Sequence, residues 1–205
     1  MRWLVLLAAL AILGGCASMS QVDGQRTAAI NDARAKLGFS GCDMALVEEI
    51  RRLKEPGLEL EAGYQCLQQG ELAEVERLLS DYRQRHVSPP YPDYADYLLG
   101  LSALLRFELL GEEDPERLEL GREVHRQLAG FVRAYPQSSY REGVGQSLKA
   151  VLDGMARTEY RLAQEALAQG DNDAAAARLR YVVQQYPRSA AAGDAASLLE
   201  RHGAL

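Results

Sequence analysis

Positive charge is in deficit in this 205-residue chain: 23 Lys and Arg stand against 29 Asp and Glu, giving a formal net charge of −6 and a pI near 5.2. A nucleic-acid binder needs a basic face to neutralise phosphates, so that class is excluded first. Histidine is scarce as well. His86, His125 and His202 are scattered, and no His-Glu-x-x-His spacing occurs. No serine stands in a G-x-S-x-G context, and neither a Walker loop nor a dinucleotide glycine loop is present. With Asp and Glu spread over helical faces, neither catalysis nor a cofactor or metal is expected. β-branched residues are sparse and no two-residue alternation persists, so strands are not expected.

One long apolar run exists, and it is at the start. Arg2 supplies a short positive region, and residues 3–13 are almost wholly Leu, Ala, Val and Ile. The run is too short to span a bilayer comfortably, and small residues follow it, as in an export signal. Its end, Leu13-Gly14-Gly15-Cys16, resembles a bacterial lipobox. That resemblance implies cleavage before Cys16 and acylation of both its sulfur and the new amine. One acyl chain holds a protein only marginally, whereas three make a durable anchor. Ala17 stands where inner-membrane lipoproteins typically carry Asp, which implies the outer membrane. Residues 1–15 are therefore read as signal peptide and residues 16–40 as lipidated cysteine and tether. Residues 41–205 are read as the folded domain. Within 16–40, a weak helical turn is expected over 28–37 and a break at 38–41.

Two cysteines remain, Cys42 and Cys66. An even pair in an oxidising compartment predicts a disulfide, and two isolated cysteines without nearby histidine do not complete a zinc site. If residues 43–54 and 58–69 form an antiparallel hairpin about Pro56, the two cysteines fall within about one helical turn of each other.

The folded part reads as helices throughout. Apolar spacing predicts helices over 43–54, 58–69, 72–86, 94–110 and 116–134. It continues over 142–155 and 158–169, as two helices or as one with a break, and ends with 173–185 and 190–202. Glu55-Pro56-Gly57 and the three prolines of 87–94 mark loops, and 111–115 is an acidic one. Tyr135-Pro136-Gln137-Ser138 is echoed by Tyr186-Pro187-Arg188-Ser189, each ending a helical run as proline must. A shift of 100 residues superposes Leu67, Gln69, Gly70 and Leu79 on Leu167, Gln169, Gly170 and Leu179. Gly63 and Ala163 lie seven residues before those glycines, small enough for close helix pairing.

This spacing resembles the tetratricopeptide repeat: a small residue at position 8, glycine near 15, proline at 32. Gly100 fits position 8, Ala175 the small position 20 and Pro187 position 32, while the acidic loop lengthens the middle unit and Val87 replaces the first unit's proline. The expected fold is all-α, a tetratricopeptide-like α-solenoid of stacked helix pairs, with a generic helical bundle as the alternative. Such a register implies a groove lined by the first helix of each pair. Tyr64, Tyr97 and Tyr160 fall near groove-facing positions, with Tyr94, Arg157 and Gln164 nearby. These residues either offer aromatic area and a carboxylate-binding guanidinium to a partner peptide or pack between repeats.

With its signal sequence and lipobox, the order of Tyr91-Pro92, Tyr135-Pro136-Gln137-Ser138-Ser139-Tyr140, Glu159-Tyr160 and Tyr186-Pro187 resembles the outer-membrane assembly lipoproteins of the BamD (YfiO or ComL) family, over roughly residues 91–195. The resemblance implies a lipid-anchored periplasmic scaffold of the outer membrane. Its partners would be proteins of the barrel assembly machinery. Residues 28–57, with Cys42, depart from the family's usual first repeat, and the chain is short for the family. An adaptor lipoprotein for another envelope process, such as cell-wall remodelling or secretion, is the alternative.

Overall fold

A computed structural model describes residues 23–114 and 116–201, and every regular element among them is helical. The chain divides between Pro90 and Tyr91 into two compact units. Both have the all-α, tetratricopeptide-like helical-hairpin fold expected from the sequence. The expected signal peptide, Cys16 and His202 lie outside the described residues.

The first unit holds α1 (residues 23–40), α2 (Met44–Leu53), α3 (Pro56–Gln69), α4 (Leu72–Leu79) and α5 (Tyr82–Arg85). Asp43 caps α2 by accepting from the Leu46 N–H at 2.8 Å. Pro56 opens α3 at its first turn, where a missing N–H is harmless. Ile50, Leu58, Ala62, Cys66, Val75 and Leu78 are buried at the centre.

Two sequence expectations change here. Residues 23–40, read as part of a tether with a short weak turn and a break after residue 37, form a continuous helix in which Ala33 and Leu37 are buried. Ala29, Ile30, Ala33 and Leu37 make one face, and alanine is the best helix former. The helix is pinned by polar contacts far along the chain: Arg34 donates to Glu61 at 2.8 Å and Lys36 to Glu49 at 2.9 Å. The single helix expected over 72–86 is broken at Ser80-Asp81 into α4 and α5. Asp81 leaves helical geometry and spends its carboxylate on Arg51 and Arg85.

The second unit holds α6 (Pro92–Leu109), α7 (Arg117–Ala134), α8 (Arg141–Ala168), α9 (Asn172–Gln185) and α10 (Ala190–Arg201). Successive helices pack on one another, and α8 also touches α6 and α10. The alternative left open at 142–169 resolves as one 28-residue helix. Gly154, just before the expected gap at 156–157, is buried within this helix against the Phe107 ring.

Both repeat signals have a structural counterpart. Gly70 and Gly170 adopt φ of 79° and 80°, where residues with a Cβ are strained. Each closes its helix with the same pair of bonds, Gly70 N–H to Leu67 and Glu71 N–H to Cys66, Gly170 N–H to Leu167 and Asp171 N–H to Ala166. Tyr135 and Tyr186 are likewise matched, each donating its N–H to the carbonyl four residues back and accepting from the serine three residues on.

Candidate functional site

The residues singled out for partner binding do not form one site. Tyr64, in the first unit, is exposed on α3, its hydroxyl accepting from Gln68 at 2.5 Å. Tyr94 and Tyr97 on α6 are half-buried and both stack on Tyr140, with ring centroids 5.3 and 4.6 Å away. Tyr97 extends the cluster to Phe131, which meets Tyr135 in turn. The Tyr135 hydroxyl donates to Asp96 and the Ser138 hydroxyl to Asp93, both at 2.7 Å. These rings and carboxylates fasten the first turns of α6 to the turn between α7 and α8.

Arg157, Tyr160 and Gln164 lie elsewhere on α8, at i, i+3 and i+7. Arg157 and Gln164 are exposed, while Tyr160 is half-buried against the core. Tyr97 sits beside Gly143, and the 17 residues from there to Tyr160 span about 25 Å of helix. The two tyrosines given the same repeat role are therefore in different surroundings.

Charge organises the α8 stripe. The acidic loop leans on it: Glu112 accepts from Arg157 at 2.8 Å through its carboxylate and from Arg161 at 2.7 Å through its carbonyl. Arg117 is buried beneath, its guanidinium 4.4 Å from the Phe107 ring centroid and donating to the Phe107 and Leu110 carbonyls that end α6. Burial pushes its pKa below the ordinary arginine value. Glu159 is buried and pairs with Arg178 at 2.6 Å. It occupies the repeat position of Asp96. Burial, with Tyr181 and then Glu159 adding to it, pushes the Tyr186 hydroxyl well above the usual tyrosine value.

Sequence reasoning missed the polar centre of the first unit. Glu59 is fully buried, accepting from Arg85 at 2.8 Å and from His86 at 3.0 Å. Asp81 receives Arg51 through two bonds of 2.9 Å and Arg85 through one of 2.7 Å. The Arg51 bonds, against burial and together with Arg85, hold the Asp81 carboxyl well below the ordinary carboxylate range. Tyr82 stacks edge-on against His86 and donates to the Pro90 carbonyl at 2.8 Å. Burial, reinforced by Glu59, pushes its hydroxyl up to about 12. The only sequence signal was a lone acid between Leu58 and Leu60, which an exposed helical position explains equally well.

Cys42 and Cys66 are both buried, with Cα atoms 5.1 Å apart and their sulfurs meeting. That separation lies inside the roughly 4.4–6.8 Å a disulfide bridges. Among the described residues no cluster of three or more His, Cys, Asp or Glu is placed to hold a metal ion. An open, largely apolar trough of about 440 Å³ lies between α8 and the turn joining α9 to α10.

Compared with known families, residues 54–203 match the family model described as YfiO, outer membrane lipoprotein. No curated protein matches the chain.

Proposed function

The chain belongs to the YfiO family of outer membrane lipoproteins, and on that premise we propose that it is a lipid-anchored periplasmic scaffold that binds protein partners in outer-membrane β-barrel assembly. The observation that carries this reading is the family match across the helical hairpins of α3 to α10, surfaces suited to recognition. No described helix is long and apolar enough to cross a membrane. In this reading attachment comes through acylated Cys16, and the chain acts by recognition without covalent chemistry. A second reading, an adaptor for cell-wall remodelling or secretion, draws on one observation. The match begins at residue 54, leaving α1, α2 and Cys42 outside it.

Pull-down from crosslinked envelopes separates the two. Recovery of the barrel assembly protein supports the first, and its consistent absence beside another envelope machine supports the second. Variants then locate the binding face. Tyr97→Ala removes stacked rings and should destabilise by about 1–3 kcal/mol. Tyr160→Ala should melt within a few degrees of the parent yet recover severalfold less partner. If Tyr160→Ala captures the partner undiminished, the α8 stripe is not the binding face.

In an oxidising periplasm Cys42 and Cys66 would be bonded. With a sequence separation of 24, the bond would contribute roughly 3 kcal/mol. Reductant should lower the urea midpoint of the mature chain accordingly and leave that of a Cys42→Ser, Cys66→Ser variant unchanged. Two titratable thiols in the oxidised, denatured chain would rule the bond out.

A further inference from the structure

The two Tyr-Pro turns of the second unit differ in their surroundings. At the first, α6 reaches over with Asp93 and Asp96, and the Tyr94, Tyr97 and Tyr140 rings stack beside it. At the second, Ser189 bonds locally, donating to the Tyr186 carbonyl and accepting from the Ala192 N–H. Beside this turn lies the open trough, walled by Leu148 and Leu152 of α8 and by Tyr186 and Pro187.

Gly145 lies on the same α8 face, at i with Leu148 at i+3 and Leu152 at i+7, and also lines the trough. Glycine inside a helix costs about 1 kcal/mol relative to alanine. At Gly121 and Gly154 close packing explains that cost, because an added Cβ would strike the Phe107 ring. At Gly145 an added Cβ would meet nothing within 4 Å, and its φ is not positive. Its effect on the surface is to keep one end of the trough open.

The rim carries Lys149 and Arg188. Neither has an ion pair among the described residues, whereas Arg157, Arg161 and Arg178 of the same unit are all paired with carboxylates. Asp153 is the single acid lining the trough. An apolar floor between two uncommitted cations is complementary to an apolar side chain flanked by carboxylates.

We propose that this trough docks an acidic amphipathic segment of a protein partner. A large apolar side chain would lie between Leu148, Leu152 and Pro187, with neighbouring carboxylates on Lys149 and Arg188. The proposal rests on the scaffold reading and gives it a specific contact.

The test uses the full chain in the envelope, with a benzoylphenylalanine photoprobe at Gln185, an exposed residue lining the trough. The crosslinked segment is identified by mass spectrometry. The expected segment has a large apolar residue with at least two Asp or Glu within four positions. Gly145→Leu fills the trough and should cut the crosslink at least tenfold while melting no lower than the parent. Paired Lys149→Glu and Arg188→Glu should cut it similarly, and Lys149→Arg should retain it. Crosslinking to a second copy of the chain, to lipid, or to a segment without acidic flanks would overturn the proposal. So would a crosslink that Gly145→Leu leaves intact. Silence at Gln185 beside protein capture from a probe at Gln164 would discard the trough and keep the scaffold reading. Silence at both positions would discard both.

Discussion

Glu59→Ala is expected to lower the stability of the first unit by about 3–5 kcal/mol, the usual effect of removing one partner from a buried ion pair. Glu59 is fully buried and receives Arg85 and His86 on its two oxygens. The Arg85 side chain is 19% exposed, so little water can replace the lost carboxylate. Asp81 holds Arg85 from the other side but also receives Arg51, and it cannot take over both donors. The loss should appear as reduced hydrogen-exchange protection in α3 and α4, which separates it from the second unit. A paired replacement isolates the cause. Glu59→Leu alone should be nearly as damaging, whereas Glu59→Leu with Arg85→Met should recover much of the loss, because apolar residues of similar volume often replace a buried pair at little cost. Equal damage from the single and the double variant would mean that pairing is not what holds this centre.

The network explains the break between α4 and α5 that the sequence did not reveal. Apolar spacing runs through Val75, Leu78, Leu79 and Tyr82 as though the helix continued. The deciding contacts come from Arg51 on α2 and Glu59 on α3, about 20 to 30 residues away in the chain, and no local pattern encodes them. α1 was underestimated for a related reason. Its face of Ala29, Ile30, Ala33 and Leu37 is thin, and what fixes it are the pairs with Glu49 and Glu61.

Features with a local cause were legible. Gly70 and Gly170 were readable because left-handed backbone selects glycine, and the Tyr-Pro stops because proline cannot continue a helix. The repeat register was less informative about side-chain roles. It gave Tyr97 and Tyr160 the same position, yet Tyr97 found a stacking partner in Tyr140. The corresponding place after the second Tyr-Pro turn is Ala191, which offers no ring. A register fixes where a side chain emerges, and the neighbouring element decides what it touches. The trough is a further case: no local pattern marks Gly145, which lines it only because the turn joining α9 to α10 lies opposite.

Phe107→Ala should have the comparable effect in the second unit, about 3–5 kcal/mol for deleting a fully buried aromatic ring. Phe107 sits in the last turn of α6 and is 1% exposed. Its ring fills the space left by two glycines on neighbouring helices: a Cβ at Gly121 of α7 would come within 2.9 Å of it, and one at Gly154 of α8 within 2.7 Å. Arg117 covers the ring and ties itself to the α6 carbonyls. One side chain thus joins three helices and offsets two helix-interior glycines. Removing it leaves a cavity that those glycines cannot fill and uncovers a buried guanidinium. Gly154→Ala should also destabilise, because the ring must shift to admit the methyl group, by about 1–3 kcal/mol. In Phe107→Leu the smaller side chain makes room, so Gly154→Ala should then cost less than it does in the parent. That non-additivity, read from urea unfolding of the four chains of a double-mutant cycle, is the signature of direct contact. Additive losses, or a Phe107→Ala loss below about 1 kcal/mol, would place the joint elsewhere. The consequence reaches the α8 stripe that carries Arg157. Gly154 is less than one turn before Arg157, so α8 must be seated on Phe107 for Arg157 to meet Glu112. Phe107→Ala should therefore expose the acidic loop to proteolysis before the rest of the unit unfolds.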